Sequence, residues 1–114
     1  MILDDLKSKQ IEYMKAKDSF KLGVLRFFLS QVKNKEIEIK AQGKDFTDED
    51  VFKVLRKEVK NRKEGIETYE KANRPDLLQK EKDELEVYLE YAKLFPFELE
   101  TQNPMAQRNF NQKV

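Results

Sequence analysis

The segment GKDFTDED, residues 43–50, decides the fold, because it joins two long stretches of helical hydrophobic periodicity. Gly43 suits the left-handed position that follows the end of a helix. Thr47 and Asp50 have the spacing of a capping box, in which each side chain bonds the other residue's amide at a helix start. Only residues 43–46 separate the two predicted helices, and so short a connection makes them antiparallel neighbours. The segment therefore predicts a long helical hairpin.

The two helices of this hairpin are predicted over about residues 20–42 and 47–73, each roughly 35 Å long at 1.5 Å per residue. The first has an apolar stripe at helical spacing, made of Leu22, Leu25, Phe28, Leu29, Val32 and Ile39. Val24 and Phe27 widen that stripe, which indicates neighbours on two sides. The second helix has a matching stripe, made of Phe52, Leu55, Val59, Ile66 and Tyr69. Gly65 falls inside it, weakens the helix by about 1 kcal/mol relative to Ala, and marks a close contact or a bend.

Two further helices complete the predicted domain. One covers about residues 2–17 and ends before Asp18, whose side chain can accept a hydrogen bond from a free amide at the next helix start. The other begins at Pro75, which at a first helical position loses only an amide that would be unpaired anyway. The predicted fold class is all-α, a four-helix domain over residues 1–94. Beyond it periodicity is lost, so residues 95–114 are predicted to form a poorly ordered, irregular tail.

The composition excludes several kinds of chemistry. The 114 residues contain no Cys and no His, which removes disulfides, thiolate nucleophiles and the usual general base. Carboxylate pairs occur without a phosphate loop or a calcium loop, so no catalytic residue, metal site or cofactor is predicted. No apolar run approaches the roughly 20 residues of a membrane span. The acidic N-terminus does not resemble a secretory signal, and a cytoplasmic setting is expected.

A basic row on the third helix is the main candidate for binding. With 23 Lys and Arg against 22 acids, attraction to nucleic acid must come from local segregation of charge. Five bases fall within an arc of about 120° at 100° per residue: Lys53, Arg56, Lys57, Lys60 and Lys63. Cations one turn apart suit a phosphate backbone. Arg26, Lys33 and Lys40 form a weaker row on the second helix, and Arg74 lies nearby. The alternatives are a solvated face, or pairing with the acid-rich fourth helix.

Arg62 is a separate case, because it falls within the apolar arc of the third helix. A buried guanidinium needs a carboxylate partner, since leaving it unpaired costs several kcal/mol. Glu81 and Glu84 lie on the fourth helix, with Glu81 on its apolar face. We predict an interhelical ion pair between Arg62 and one of these acids, with a structural role.

The chain resembles the GatB/YqeY family over about residues 3–89. The matching stretches are MKAKD at 14–18, KLGVLR at 21–26, TDEDV at 47–51, KEVKNRKE at 57–64, ANRPDL at 72–77 and the spaced residues Glu81, Glu84, Leu85, Tyr88 and Leu89. The resemblance implies a helical domain similar to the C-terminal part of the tRNA-dependent amidotransferase B subunit. In that family this part is linked to tRNA handling, while the chemistry lies in other domains. Family members usually continue into a second helical bundle, and we expect this chain to lack it.

Three functional hypotheses follow. The first is a non-catalytic, tRNA-associated accessory domain that contacts phosphates through the basic row. The second is a module that docks another helical protein. The third is a component of a glutamine-dependent carbon–nitrogen ligase that needs amidotransferase subunits as partners, although no residue here would perform that reaction.

Overall fold

The computed structural model describes residues 1–99. These residues form four α-helices and no strand: α1 (Ile2–Lys15), α2 (Ser19–Ala41), α3 (Asp48–Lys71) and α4 (Pro75–Ala92). The prediction of an all-α, four-helix fold is confirmed. Among the described residues, no helix combines the length and the apolar character that crossing a membrane requires.

The helix ends follow the local chemistry of the sequence. Gly43 has φ +76° and follows the last residues of α2 in the left-handed conformation. At the start of α3 the Asp50 amide donates to Thr47 Oγ1 at 3.4 Å, and the Thr47 amide donates to Asp50 Oδ2 at 3.0 Å. At the start of α2 the Lys21 amide donates to Asp18 Oδ1 at 3.0 Å. These caps fix the short connections, and α2 and α3 form the antiparallel hairpin as a result.

The core lies where α2, α3 and α4 meet, and the contact of α3 with α4 is the most extensive in the domain. Phe28 of α2 meets Tyr88 and Tyr91 of α4 with ring centroids 5.9 and 5.8 Å apart. Leu55 of α3 is fully buried. The α1 helix closes one end, where the Ile2 amide donates to Asp48 Oδ1 at 3.1 Å. The α2–α3 hairpin is present, but α3 packs more extensively against α4 than against α2.

The packed part of the domain extends beyond α4 into residues that the sequence analysis assigned to the tail. Phe95 and Leu99 are buried, at 7% and 5% exposed. The rings of Phe95 and Phe97 each lie 5.3 Å from the ring of Phe52 on α3. The last helix ends at Ala92 but burial continues, so the packing reaches at least Leu99. The rest of the predicted tail, residues 100–114, lies outside the described part of the chain.

Candidate functional site

Three lysines of the basic row have exposed side chains on the surface of α3. Lys53, Lys57 and Lys60 are exposed, and none has an acid within ion-pair distance among residues 1–99. Steps of four and three residues place them about one turn apart, at 1.5 Å of rise per residue. Their ammonium groups are therefore available to an anionic partner.

The other two bases of the row are partly committed to the domain. Arg56 is half-buried, and its guanidinium carbon lies 5.6 Å from the centroid of the Phe52 ring. Lys63 is also half-buried, and burial lowers the pKa of its ammonium group. A side chain held against the core is less able to reach a ligand, so the exposed part of the row is centred on Lys53, Lys57 and Lys60.

The structure does not bring the basic row of α2 onto the same side. The α2 bank of the groove that faces α3 consists of Gln31, Asn34, Lys35 and Glu38. Lys33 lies two positions from both Gln31 and Lys35, which turns it by about 200° away from that bank. Its ammonium group lies 3.6 Å from Glu36, and Lys40 lies 2.8 Å from the same side chain. Arg26, seven residues before Lys33, shares this outer side, so the two rows remain on separate surfaces.

Arg74 is likewise distant from the centre of the row. It precedes α4, and its guanidinium lies 3.5 Å from the carboxylate of Asp76. The amide of Leu77 and then this guanidinium lower the pKa of Asp76. Along α3 and the turn after it, about 17 residues separate Arg74 from Lys57, or roughly 25 Å. Arg74 therefore belongs to a different part of the surface.

The groove between α2 and α3 has a volume of about 250 Å³, and its α3 bank consists of Lys53, Val54, Lys57 and Glu58. Glu58 is only 6% exposed. Its one ion pair within residues 1–99 is a long one, 3.9 Å to Arg62 NH1, and it makes no hydrogen bond there. Burial raises the pKa of its carboxyl group, an effect that Arg62 opposes. Sequence reasoning missed this residue, although Glu58 lies seven positions after Val51 and therefore within the buried arc.

Arg62 holds α3 to α4. Its Nε lies 2.9 Å from Glu81 Oε1, and its NH1 donates to Glu84 Oε1 at 3.1 Å. The Nε–H bond does not point at Glu81, so that contact is an ion pair without a hydrogen bond. Gly65 makes room for it, because a Cβ at this position would lie 2.7 Å from Glu81 Oε1. Gly65 therefore marks a close helix contact.

A second cleft, of about 520 Å³, lies between the first half of α2 and α4. Phe20 and Phe27 border it and are 42% and 48% exposed. The expectation that a neighbouring helix covers Phe27 is wrong, because α3 and α4 cover the adjacent face of α2 and leave this edge open. The opposite wall contains the Arg62, Glu81 and Glu84 side chains.

Within the described residues, no group of acids is arranged to hold a metal ion.

A family model described as Yqey-like protein matches residues 3–103. The chain belongs to the YqeY-like family.

Relatives of this YqeY-like chain include fungal proteins. It is 37% identical over 92 residues to a Lachancea thermotolerans protein named altered inheritance of mitochondria protein 41, mitochondrial, covering 81% of this chain and 48% of the relative. A Saccharomyces cerevisiae protein of the same name is 32% identical over 96 residues, covering 84% and 49%. An uncharacterised Schizosaccharomyces pombe protein is 33% identical over 86 residues, covering 75% and 68%. The YqeY-like chain thus spans about half the length of its relatives named mitochondrial.

These names correct one prediction. The cytoplasmic setting expected from the sequence is wrong, because the relatives are named as mitochondrial proteins. The expectation rested on the lack of an apolar run long enough for a membrane span and on an N-terminus unlike a secretory signal, and neither property distinguishes the cytoplasm from the inside of an organelle.

Proposed function

We propose that this chain is a non-catalytic domain that binds RNA, and specifically tRNA, through the phosphate contacts of Lys53, Lys57 and Lys60. The observation that supports the proposal most is the exposure of these three side chains without an ion pair among residues 1–99. Each phosphate contact releases condensed counterions, which is the main source of affinity in sequence-independent binding. Arg56 and Lys63 flank this surface and contribute less because they are half-buried.

The alternative that α4 neutralises the basic row has little support. Its acids Glu81 and Glu84 pair with Arg62, which points into the domain rather than outward. Glu90 lies 4.0 Å from Lys21 of α2. The acidic helix therefore directs its contacts away from Lys53, Lys57 and Lys60, and their charge stays available.

The choice of tRNA among RNAs rests on the resemblance to the amidotransferase B subunit. A role without catalysis fits a chain that has neither Cys nor His. With three phosphate contacts, binding by this domain should depend strongly on salt.

The experiment is a titration of fluorescent bulk tRNA at 50 and 200 mM salt. Three phosphate contacts predict a loss of affinity of roughly 20- to 40-fold between these concentrations. Lys57→Glu/Lys60→Glu should abolish binding at low salt. Lys7→Glu/Lys44→Glu is the matched control, because it changes the net charge equally on exposed lysines that likewise have no ion pair among residues 1–99. Equal losses in both double variants would mean that only net charge matters, and no binding by the wild type would refute the proposal.

A second candidate function is the docking of another protein at the cleft beside Phe20 and Phe27. The observation that favours it is the exposure of two large aromatic side chains on one face of α2. Apolar docking would be insensitive to salt, in contrast to phosphate binding. Phe20→Ser/Phe27→Ser should then release a co-purified protein and leave tRNA affinity unchanged. A tRNA affinity that falls in this variant would refute the separation of the two surfaces.

A further inference from the structure

The burial of Glu58 is not explained by the packing of the domain. Burying a carboxylate costs several kcal/mol unless close hydrogen-bonded partners compensate. Within residues 1–99 the ion pair of Glu58 is the 3.9 Å contact with Arg62, whose shorter contacts go to Glu81 and Glu84. Arg62 would stay paired without Glu58. Among the described residues, the Glu58 carboxylate therefore accepts no hydrogen bond.

The surroundings of Glu58 limit what could use it. Glu58 lies on the α3 bank of the groove, together with Lys53 and Lys57. The facing α2 bank consists of Gln31, Asn34 and an ion pair between Lys35 and Glu38, 3.3 Å apart. A free cation would satisfy Glu58 but would be repelled by the lysines, and a simple anion would be repelled by Glu58. The fitting ligand donates neutral N–H groups at one end and carries an anion at the other.

We propose that this groove binds one unpaired guanosine nucleotide of an RNA strand, with guanine donating to Glu58 and its phosphate lying on Lys53 and Lys57. The inference rests on the proposed RNA binding and adds a base preference to the same surface. Single-stranded RNA is recognised through the Watson–Crick edges of splayed bases. Guanine has two adjacent donors on that edge, N1–H and the N2 amine, which match the two oxygens of a carboxylate. On the same edge, adenine and cytosine each have one amine as a donor. Uracil has a single N–H there, which lies between two acceptor oxygens.

The other groups of the groove fit the rest of the nucleotide. The amides of Gln31 and Asn34 can donate to guanine O6, which a carboxylate cannot contact favourably. Val54 supplies an apolar patch for the base. The groove's 250 Å³ lies just below the roughly 300 Å³ at which sites for drug-sized molecules begin, which fits a single base.

The test measures fluorescence anisotropy of labelled heptamers UUUGUUU, UUUAUUU, UUUUUUU and UUUIUUU, where I is inosine, at 50 mM salt. The full chain should bind UUUGUUU about tenfold tighter than the adenosine and uridine heptamers, within the range of one bidentate base contact. Inosine lacks the N2 amine, so UUUIUUU should lose at least threefold relative to guanosine. This comparison needs no protein variant and therefore does not depend on how a substitution folds.

Two variants separate the base contact from the phosphate contacts. Glu58→Gln keeps the shape but replaces one acceptor oxygen with a donor, and it should remove the guanosine preference while UUUUUUU binds within twofold of wild type. Lys57→Glu should weaken all four heptamers alike. Salt-sensitive binding without a guanosine preference, or a preference that survives Glu58→Gln, would overturn the guanosine site and leave RNA binding intact. No binding of any heptamer or of tRNA would overturn the proposed function as well.

Discussion

The substitution Gly65→Ala tests the packing of α3 against α4 at a position where helix propensity and tertiary structure disagree. In an isolated helix the change stabilises by about 1 kcal/mol. Here the new Cβ would lie 2.7 Å from Glu81 Oε1 and 3.1 Å from Glu81 Cδ, whereas ordinary contacts begin at 3.4 Å. The carboxylate would have to retreat by about 0.7 Å or change rotamer. Its 2.9 Å contact with Arg62 Nε would then be lost.

The magnitude follows from two opposing contributions. Removing one partner of a buried ion pair costs about 3–5 kcal/mol. Displacing Glu81 should cost roughly half as much, about 2 kcal/mol, because Arg62 keeps its 3.1 Å contact with Glu84. Subtracting the gain in helix propensity leaves a net destabilisation of about 1 kcal/mol. For a domain of this size, that lowers the melting temperature by about 4–8 °C.

Urea unfolding followed by circular dichroism measures the effect, and two comparisons isolate its cause. Gly23→Ala in α2 is the matched control: a Cβ there meets no atom within 4 Å, so the variant should be more stable by up to about 1 kcal/mol. In a Glu81→Ala background, Gly65→Ala should also become stabilising. The reasoning is refuted if Gly65→Ala stabilises the wild type as much as it stabilises Glu81→Ala.

Three further variants test separate features. Glu58→Gln should be more stable than wild type at pH 7, and the difference in unfolding free energy should shrink toward pH 4. Burial raises the pKa of the Glu58 carboxyl group, so the folded state keeps its proton to higher pH than the unfolded chain does. The stability of the wild type therefore falls as pH rises through that pKa. Urea unfolding at both pH values measures it, and a gap independent of pH would contradict the assignment. Gly43→Ala should lower stability by about 1 kcal/mol, because a residue with a Cβ is strained at the φ of +76° found there. A thermal melt measures this, and an unchanged melting temperature would mean that the connection between α2 and α3 changes its backbone conformation. Phe95→Ala should cost about 3 kcal/mol of unfolding free energy because its ring is buried against Phe52, whereas a tail that starts at this residue predicts no change.

The fold was predictable because its signals are local. Gly43, Thr47 and Asp50 act within a few residues, and the apolar stripes require only helical periodicity. The partners of Arg62 were also among the acids that the sequence suggested, since a residue in an apolar arc needs a carboxylate from a neighbouring helix. The end of packing was not predictable in this way. Helical periodicity is lost after residue 94, but Phe95 and Leu99 are buried without it.

The candidate surface was harder to predict because it depends on how the helices are rotated about their axes. A wheel shows that Lys33 and Arg26 share a side of α2, but it does not show which side faces α3. The same rotation leaves Phe27 exposed and puts Glu58 in the groove. Glu58 could have been found from the sequence, because it is a charged residue within the apolar arc of α3. The same observation at Arg62 predicted its carboxylate partner.

The most direct test of RNA binding at this surface is to map tRNA onto the domain by amide chemical shifts in ¹⁵N-labelled protein at 50 mM salt. The account predicts that the largest shifts cluster at residues 53–60 of α3 and 31–38 of α2, on the two banks of the groove. Shifts confined to residues 20–27 and α4, or no shifts at saturating tRNA, would contradict it.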